Sequence, residues 1–211
     1  MSRKTATQPS TTLQSIRDHA FTLFGRHGYE GVSIGEIADH AKLSKGALYW
    51  HFPGKEALYL DCLTRLHAIF NEHIFDRMRA CNEPVTRILT LFNGLATMLA
   101  DPRVRTGVAG YWLTPMRSAS PRLDEAQRAF ESNSRAVIVE TLRDGVAQGH
   151  FDYQDDLEEM ASAIMALVEA IILPLRHQEH NEVNAMLSVL ARTLFRAYAK
   201  SSDLVERARQ I

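Results

Sequence analysis

The sequence predicts an all-α protein: a small N-terminal helical unit, then a larger helical one. Three observations carry this expectation. Apolar residues recur at three- and four-residue spacing along almost the whole chain, and no segment alternates convincingly with period two. Serines and prolines stand where helix starts need them, and glycines where a helix must stop. The 211 residues are 45% hydrophobic and 23% charged, with 11 Gly and 7 Pro. That composition suits one large or two small globular domains and is too poor in Gly and Pro for a fibrous or disordered chain. No internal repeat is visible.

The spacing predicts helices over 11–28, 33–40, 44–51, 54–80, 84–100, 103–116, 121–148, 155–177 and 182–200. The first aligns Leu13, Ile16, Ala20, Leu23, Phe24 and His27, and Gly28 and Gly31 punctuate its end. Ser33 opens the second, because Ser33-Ile34-Gly35-Glu36 fits a capping box that satisfies two orphan amides. Ile37, Ala38 and Ala41 give that helix a buried side, and Lys42-Leu43 form the turn. Ser44 caps the third helix and Pro53 stops it. Leu58, Cys62, Leu66, Ile69, Phe70 and Ile74 run along the fourth, which connects to the larger unit. Pro84, Pro102 and Pro121 stand near later helix starts, where a missing amide costs little. Asn181 or Glu182 opens the last helix. The expected domains are an arm (1–10), a three-helix module (11–54), a helical domain (55–200) and a polar tail (201–211).

Bulk charge does not announce a partner, since the net is −1 and the pI is about 6.8. Its distribution is uneven. Residues 1–60 hold seven Lys/Arg against five Asp/Glu, a net of +2, and the remainder seventeen against twenty, a net of −3. A basic first unit permits a polyanionic partner without establishing one. Cys62 and Cys81, if on one helix, stand about 28 Å apart and cannot bridge. Neither a signal peptide nor a membrane span is evident: the stretch from Met160 to Leu175 is too short and carries Glu169 and Pro174. A soluble, cytoplasmic protein without membrane partners is expected.

Two short helices joined by a tight turn and braced by a longer one are the mechanical minimum for reading a DNA major groove. The string Ser44-Lys45-Gly46-Ala47-Leu48-Tyr49-Trp50-His51-Phe52-Pro53-Gly54-Lys55-Glu56-Ala57-Leu58, with Gly28 through Ile34 before it, resembles the TetR/AcrR family of transcriptional regulators over roughly residues 11–60. Beyond them, only length and helical pattern agree. The fold implied is an N-terminal three-helix helix-turn-helix DNA-binding domain followed by a helical ligand-binding and dimerisation domain. The residue chemistry is compatible. Lys45 and Lys55 each open a helix, where the macrodipole disfavours a cation by about 0.3–1 kcal/mol. A shared phosphate resolves the conflict, using both the ammonium groups and the free amides; two solvated lysines are the plainer reading. Gly46 and Ala47 are small enough for close approach, and Ala47 can touch a thymine methyl. Tyr49 and His51 can donate to phosphates. The resemblance implies DNA contact for Lys45, Gly46, Tyr49, Trp50, His51 and Lys55, with Ser33 and Ser44 as caps that can also meet phosphate. The family often has tyrosine where this chain has Trp50, which supplies no hydroxyl and can instead pack. Arg3 and Lys4 form either an arm with nonspecific affinity or a disordered tail.

The same resemblance implies a homodimer on a palindromic operator, formed through helices 155–177 and 182–200 and released by a small apolar or amphipathic effector. Leu157, Met160, Ala161, Ile164, Leu167, Val168, Ile171 and Ile172 make one apolar stripe, and Leu187, Leu190, Leu194 and Tyr198 another. Ala163, Ala166 and Ala170 extend apolarity further around the helix than one buried face requires. Candidate effector contacts are His67, Phe70, Phe92, Met98, Tyr111, Trp112, Met116, Phe130 and Asn133, all equally serviceable as core. Glu169 interrupts an apolar helix, so it calls for a basic partner across the dimer or a cationic ligand. An interaction protein using the same DNA module without a ligand is the rival reading. No nucleophile–base set, phosphate loop or dinucleotide fingerprint is present, so neither catalysis nor a cofactor is expected. The spacing of His177-Gln178-Glu179-His180 could suit a metal, but a solvated helix end explains it as well, and no metal site is expected.

Overall fold

Capping chemistry and helical periodicity set the architecture. The computed structural model describes residues 9–105, 107–113, 120–154, 156–172 and 180–210. Arg3 and Lys4, Met116, and His177 through Glu179 lie outside the described residues, as do the side chains of Trp112, Ile171, Ile172 and His180. The described residues form helices and turns without a strand. An isolated antiparallel bridge joins Phe151 and Ala199.

The chain divides into two compact units. The first draws on residues 1–66 and 106–126. It contains α1 (Pro9–His27), α2 (Ile34–His40), α3 (Lys45–His51) and most of α4 (Lys55–Phe70). α1 stops where Gly28 adopts φ 72°. Ile16, Ala20 and Phe24 of α1 are fully buried, as are Ile37, Ala38, Leu48 and Leu58. Two ion pairs tie α1 to α4: Arg17 to Asp61 at 2.7 Å and Arg65 to Asp18 at 2.5 Å. An aromatic cluster of Phe21, Phe24, Tyr29, Tyr59 and Tyr111 fills the interior. Cys62 is buried, and burial pushes its thiol up to about 12; it and Cys81 are free.

The periodic segment expected as a helix over 103–116 is not one over its described residues, 103–105 and 107–113. It holds a turn and a short 3-10 segment at Ala109–Leu113. Gly107 has φ 107°, outside helical space. Gly110 presses on α1 so closely that a Cβ would stand 2.3 Å from the Phe24 carbonyl oxygen. Tyr111 completes this contact by donating its hydroxyl to the Phe21 carbonyl at 3.1 Å.

The second unit draws on residues 67–105 and 127–211. α4 gives way to a π-helical turn (Asn71–Phe75) and α5 (Asp76–Arg79). The expected helix over 54–80 is therefore interrupted. His73, Ile74 and Phe75 of this wider turn are all buried. His73 bonds Asp101 at 2.9 Å, and Asp101, held well below the usual carboxylate range by Arg103, fixes the turn from below. α6 (Pro84–Ala100) packs on this turn and on α9 (His180–Tyr198). α7 (Pro121–Ala147) and α8 (Leu157–Ile172) complete the framework. The tail expected after Lys200 forms α10 (Ser202–Arg207), which buries Leu204. Arg207 anchors it by donating to Glu83 at 3.0 Å.

Candidate nucleic-acid interface

The helix pair is assembled by its caps. Ser33 Oγ accepts from the Glu36 amide at 3.2 Å, and Glu36 Oε2 accepts from the Ser33 amide at 2.7 Å. This is the capping box the sequence predicts. α2 then ends in a Schellman arrangement: the Leu43 amide bonds the Ala38 carbonyl at 2.9 Å and the Lys42 amide the Asp39 carbonyl at 3.1 Å. Lys42 supplies the left-handed residue, with φ 56°. Ser44 starts α3 by accepting from the Ala47 amide at 3.2 Å.

Only Leu48 of α3 is buried. Lys45, Gly46, Tyr49 and Trp50 are exposed, at positions i, i+1, i+4 and i+5 of one face, while Ala47 and His51 are half-buried. A Cβ on Gly46 would meet nothing nearer than Ser44 Oγ at 3.9 Å, so internal packing does not dictate its small size. Trp50 is 77% exposed, its ring edge-on to His51 at 4.7 Å. Core packing, the alternative left open for this residue, is excluded in the chain as it stands.

Lys45 and Lys55 line one open groove of about 560 Å³ with Tyr49, Ser33, Gly35, Glu36 and Glu30. Gly35 makes room for the first lysine: a Cβ there would lie 2.9 Å from Lys45 Cε. Lys55 is not a freely solvated lysine. Its ammonium sits 4.3 Å from the centroid of the Tyr29 ring and 4.0 Å from Glu30 Oε2. Burial, with Glu56 and Glu30 nearby, holds the Tyr29 hydroxyl above its ordinary value. Gly54, which precedes α4, contributes no capping side chain, and a Cβ there would meet nothing within 4 Å. Sequence reasoning assigned no role to Tyr29, Glu30 or Gly35. A glycine inside a seven-residue helix was the available signal for Gly35, since it costs about 1 kcal/mol against alanine.

The candidate effector residues do not all converge. Tyr111 belongs to the interior of the first unit. In the second, His67 stacks on Phe130 with centroids 4.0 Å apart and bonds Gln127 at 3.2 Å. Burial brings the His67 imidazole down to about 4, leaving it neutral at physiological pH. Phe70 meets Phe130 edge-on. Phe92 and Met98 are fully buried core residues, and Asn133 is exposed. Glu169 lines a cavity of about 210 Å³ with Glu131, Arg135, Ser162, Met165 and Ala166. Burial, then the nearby Glu131, raises its carboxyl. Among the described residues Glu169 makes no ion pair, and no group of three His, Cys, Asp or Glu could hold a metal.

Known proteins are similar to this chain in sequence and in fold. The family model for bacterial regulatory proteins of the tetR family matches residues 16–62. The transcriptional regulator LmrA of Bacillus subtilis is 32% identical over 163 residues, 76% of this chain and 84% of LmrA. Shorter matches of 61 to 77 residues span 28% to 35% of further relatives. A tetR-family regulator from Agrobacterium tumefaciens shares the fold at 19% identity with a TM-score of 0.76, over 91% of this chain and all of that one. So does AibR, solved with isovaleryl coenzyme A and operator DNA, at 20% identity and a TM-score of 0.70, over 84% of this chain and 97% of that one. With the likeness to LmrA running through both units, the chain belongs to the tetR family of transcriptional regulators and is not an enzyme.

Proposed function

We propose that the chain is a homodimeric repressor that places α3 in the major groove of a palindromic operator and leaves it when a small apolar or amphipathic effector binds the second unit. The observation that carries the DNA contact is the shared groove. Lys45 and Lys55, from two helix starts, line one cleft with Tyr49. Two ammonium groups and a phenol converging there suit one backbone phosphate, which positions the module. Gly46, Ala47, Tyr49 and Trp50 are then the residues offered to base edges and sugars, with His51 and the caps Ser33 and Ser44 beside the backbone.

The dimer rests on apolar surface left uncovered. Leu167 of α8 is 43% exposed and Val189 of α9 is 53% exposed, and Ala163, Ala166 and Ala170 extend the patch on α8. The effector reading rests on the His67–Phe70–Phe130 cluster and the cavity beside Glu169, and on the fold shared with AibR, which was solved with a small molecule and operator DNA.

Footprinting on the DNA flanking the chain's own gene tests this directly. The expected result is a two-fold symmetric protected site that fades when the matching small molecule is added. Lys55→Ala should weaken binding to all sequences alike and lower the slope of log K against log salt by about one. A site protected equally well by Lys55→Ala, with an unchanged slope, would remove the phosphate role.

A further inference from the structure

The groove that holds the two lysines also holds a carboxylate with no structural duty there. Of the acidic residues lining it, Glu36 is committed: its Oε2 accepts from the Ser33 amide at 2.7 Å as half of the capping box. Glu30 is different. It stands on the turn after α1, its side chain 62% exposed, and its Oε2 reaches Lys55 Nζ only at 4.0 Å. An exposed pair at that distance is weak and easily displaced.

Lys55 has a second, unlike partner. The Tyr29 ring lies under its ammonium at 4.3 Å, and that ring is itself fixed by Phe24 and by Tyr59. The Lys55 side chain is 24% exposed, so one side of it faces the ring and the other the groove. These contacts respond differently to an arriving phosphate. A ring face attracts the ammonium whether or not an anion sits opposite. A carboxylate competes for the same ammonium and repels the anion. Counted over the lining residues, Lys45 and Lys55 are balanced by Glu30 and Glu36, so the groove is neutral with Glu30 in place and carries one positive charge without it.

We propose that Glu30 is an affinity-limiting carboxylate that competes with DNA phosphate for Lys55, and that Tyr29 is the positioning residue that keeps the ammonium in the groove once Glu30 is displaced. The proposal rests on the reading of Lys55 as a phosphate contact. It gives the regulator a built-in brake on sequence-independent binding, because the competition acts on the backbone contact and not on base reading.

The test is binding of the full chain to mixed-sequence duplex DNA and to the flanking DNA of its own gene, over a series of salt concentrations. Glu30→Gln should tighten both by about three- to tenfold and steepen the salt slope by up to about one. In a Lys55→Ala background the same substitution should gain much less, because the competition has lost its object. Tyr29→Phe should bind as the parent does, and Tyr29→Leu should bind more weakly. Since Tyr29 also packs in the interior, the leucine variant is compared only after its thermal transition is shown to be intact, and the Glu30 arm stands without it. Unchanged affinity and slope for Glu30→Gln would overturn the inference, as would an equal gain with and without Lys55, which marks a general charge effect. Absence of any duplex binding by the parent chain would instead overturn the phosphate reading beneath it.

Discussion

Lys42 is the one non-glycine residue among the described residues with a left-handed backbone, at φ 56°. Its position explains why it is tolerated. It is the residue at which α2 must stop and reverse within three residues so that Ser44 can start α3, and the two Schellman bonds hold it there. A side chain in this conformation crowds its own carbonyl, at a cost of roughly 1–2 kcal/mol relative to glycine. Because glycine is also freer in the unfolded chain, the net gain from Lys42→Gly should be near the lower figure, about 1 kcal/mol. That corresponds to a rise of about 2–4 °C in the thermal transition of a chain this long. A melting curve of the variant checks it, and a fall in the transition would mean that the lysine makes a compensating contact elsewhere. The same turn shows which residues speak plainly in sequence. Ser33, Glu36 and Ser44 declare themselves because a cap needs one residue type at one spacing. Lys45 and Lys55 declare themselves because a cation at a helix start is electrostatically out of place. Glu30 and Tyr29 do not, because their relation to Lys55 depends on a fold-back of some twenty-five residues that no local pattern encodes.

At the scale of elements, most helices are legible because their apolar stripes and caps agree, and two of the departures, over 103–116 and after Phe70, are instructive. Along 103–116, Val104, Val108 and Tyr111 recur at helical spacing and all three are buried, yet the backbone is not α-helical. Burial at helical intervals is therefore not sufficient evidence of a helix when two glycines lie inside the segment. The break in the long helix after Phe70 leaves no glycine or proline to announce it. The burial of His73 to Phe75 does not announce it either, since Val137, Ile138 and Val139 are buried in succession within the regular α7. The segment around Gly110 offers a sharp test of how the 3-10 turn docks. A Cβ at Gly110 would meet three backbone atoms of α1 and its end: the carbonyl oxygens of Phe24 and Gly25 at 2.3 and 2.7 Å, and the Gly28 nitrogen at 2.7 Å. Backbone cannot swing aside as a flexible side chain can. Gly110→Ala should therefore destabilise the first unit by about 1–3 kcal/mol and break the Tyr111 hydrogen bond to Phe21. Denaturant unfolding measures the loss, and an unchanged midpoint would show that the turn is free to lift from α1.

At the scale of the whole molecule, the proposed homodimer makes the outer surface of α8 and α9 the place to test. Leu167 of α8 and Val189 of α9 leave apolar surface exposed, which the proposed dimer would cover. Each helix already has an inner face: Ala161, Ile164 and Val168 on α8, and Val183, Leu187, Ala191 and Phe195 on α9, are all buried within one chain. Leu167 and Val189 are left over, and a closed two-fold pairing would bury both of them twice. The small residues Ala163, Ala166 and Ala170 let a second helix approach closely along the same face. Leu167→Glu tests this with little risk to the fold, because the side chain already stands in solvent. If the face is the dimer interface, each association loses the burial still open to two leucines that are 43% exposed in the single chain, about 1–3 kcal/mol, before the cost of burying two carboxylates. The dimer dissociation constant should then rise at least about tenfold with respect to the parent. The parent chain should sediment as a dimer at micromolar concentration and the variant as a monomer with the same helical content. The variant should also protect only a half-site, or none, because two α3 helices about one DNA turn apart are needed to bind a palindrome tightly. A variant that remains dimeric would move the interface elsewhere on the chain; a parent that sediments as a monomer would remove the homodimer and leave this patch without its proposed partner.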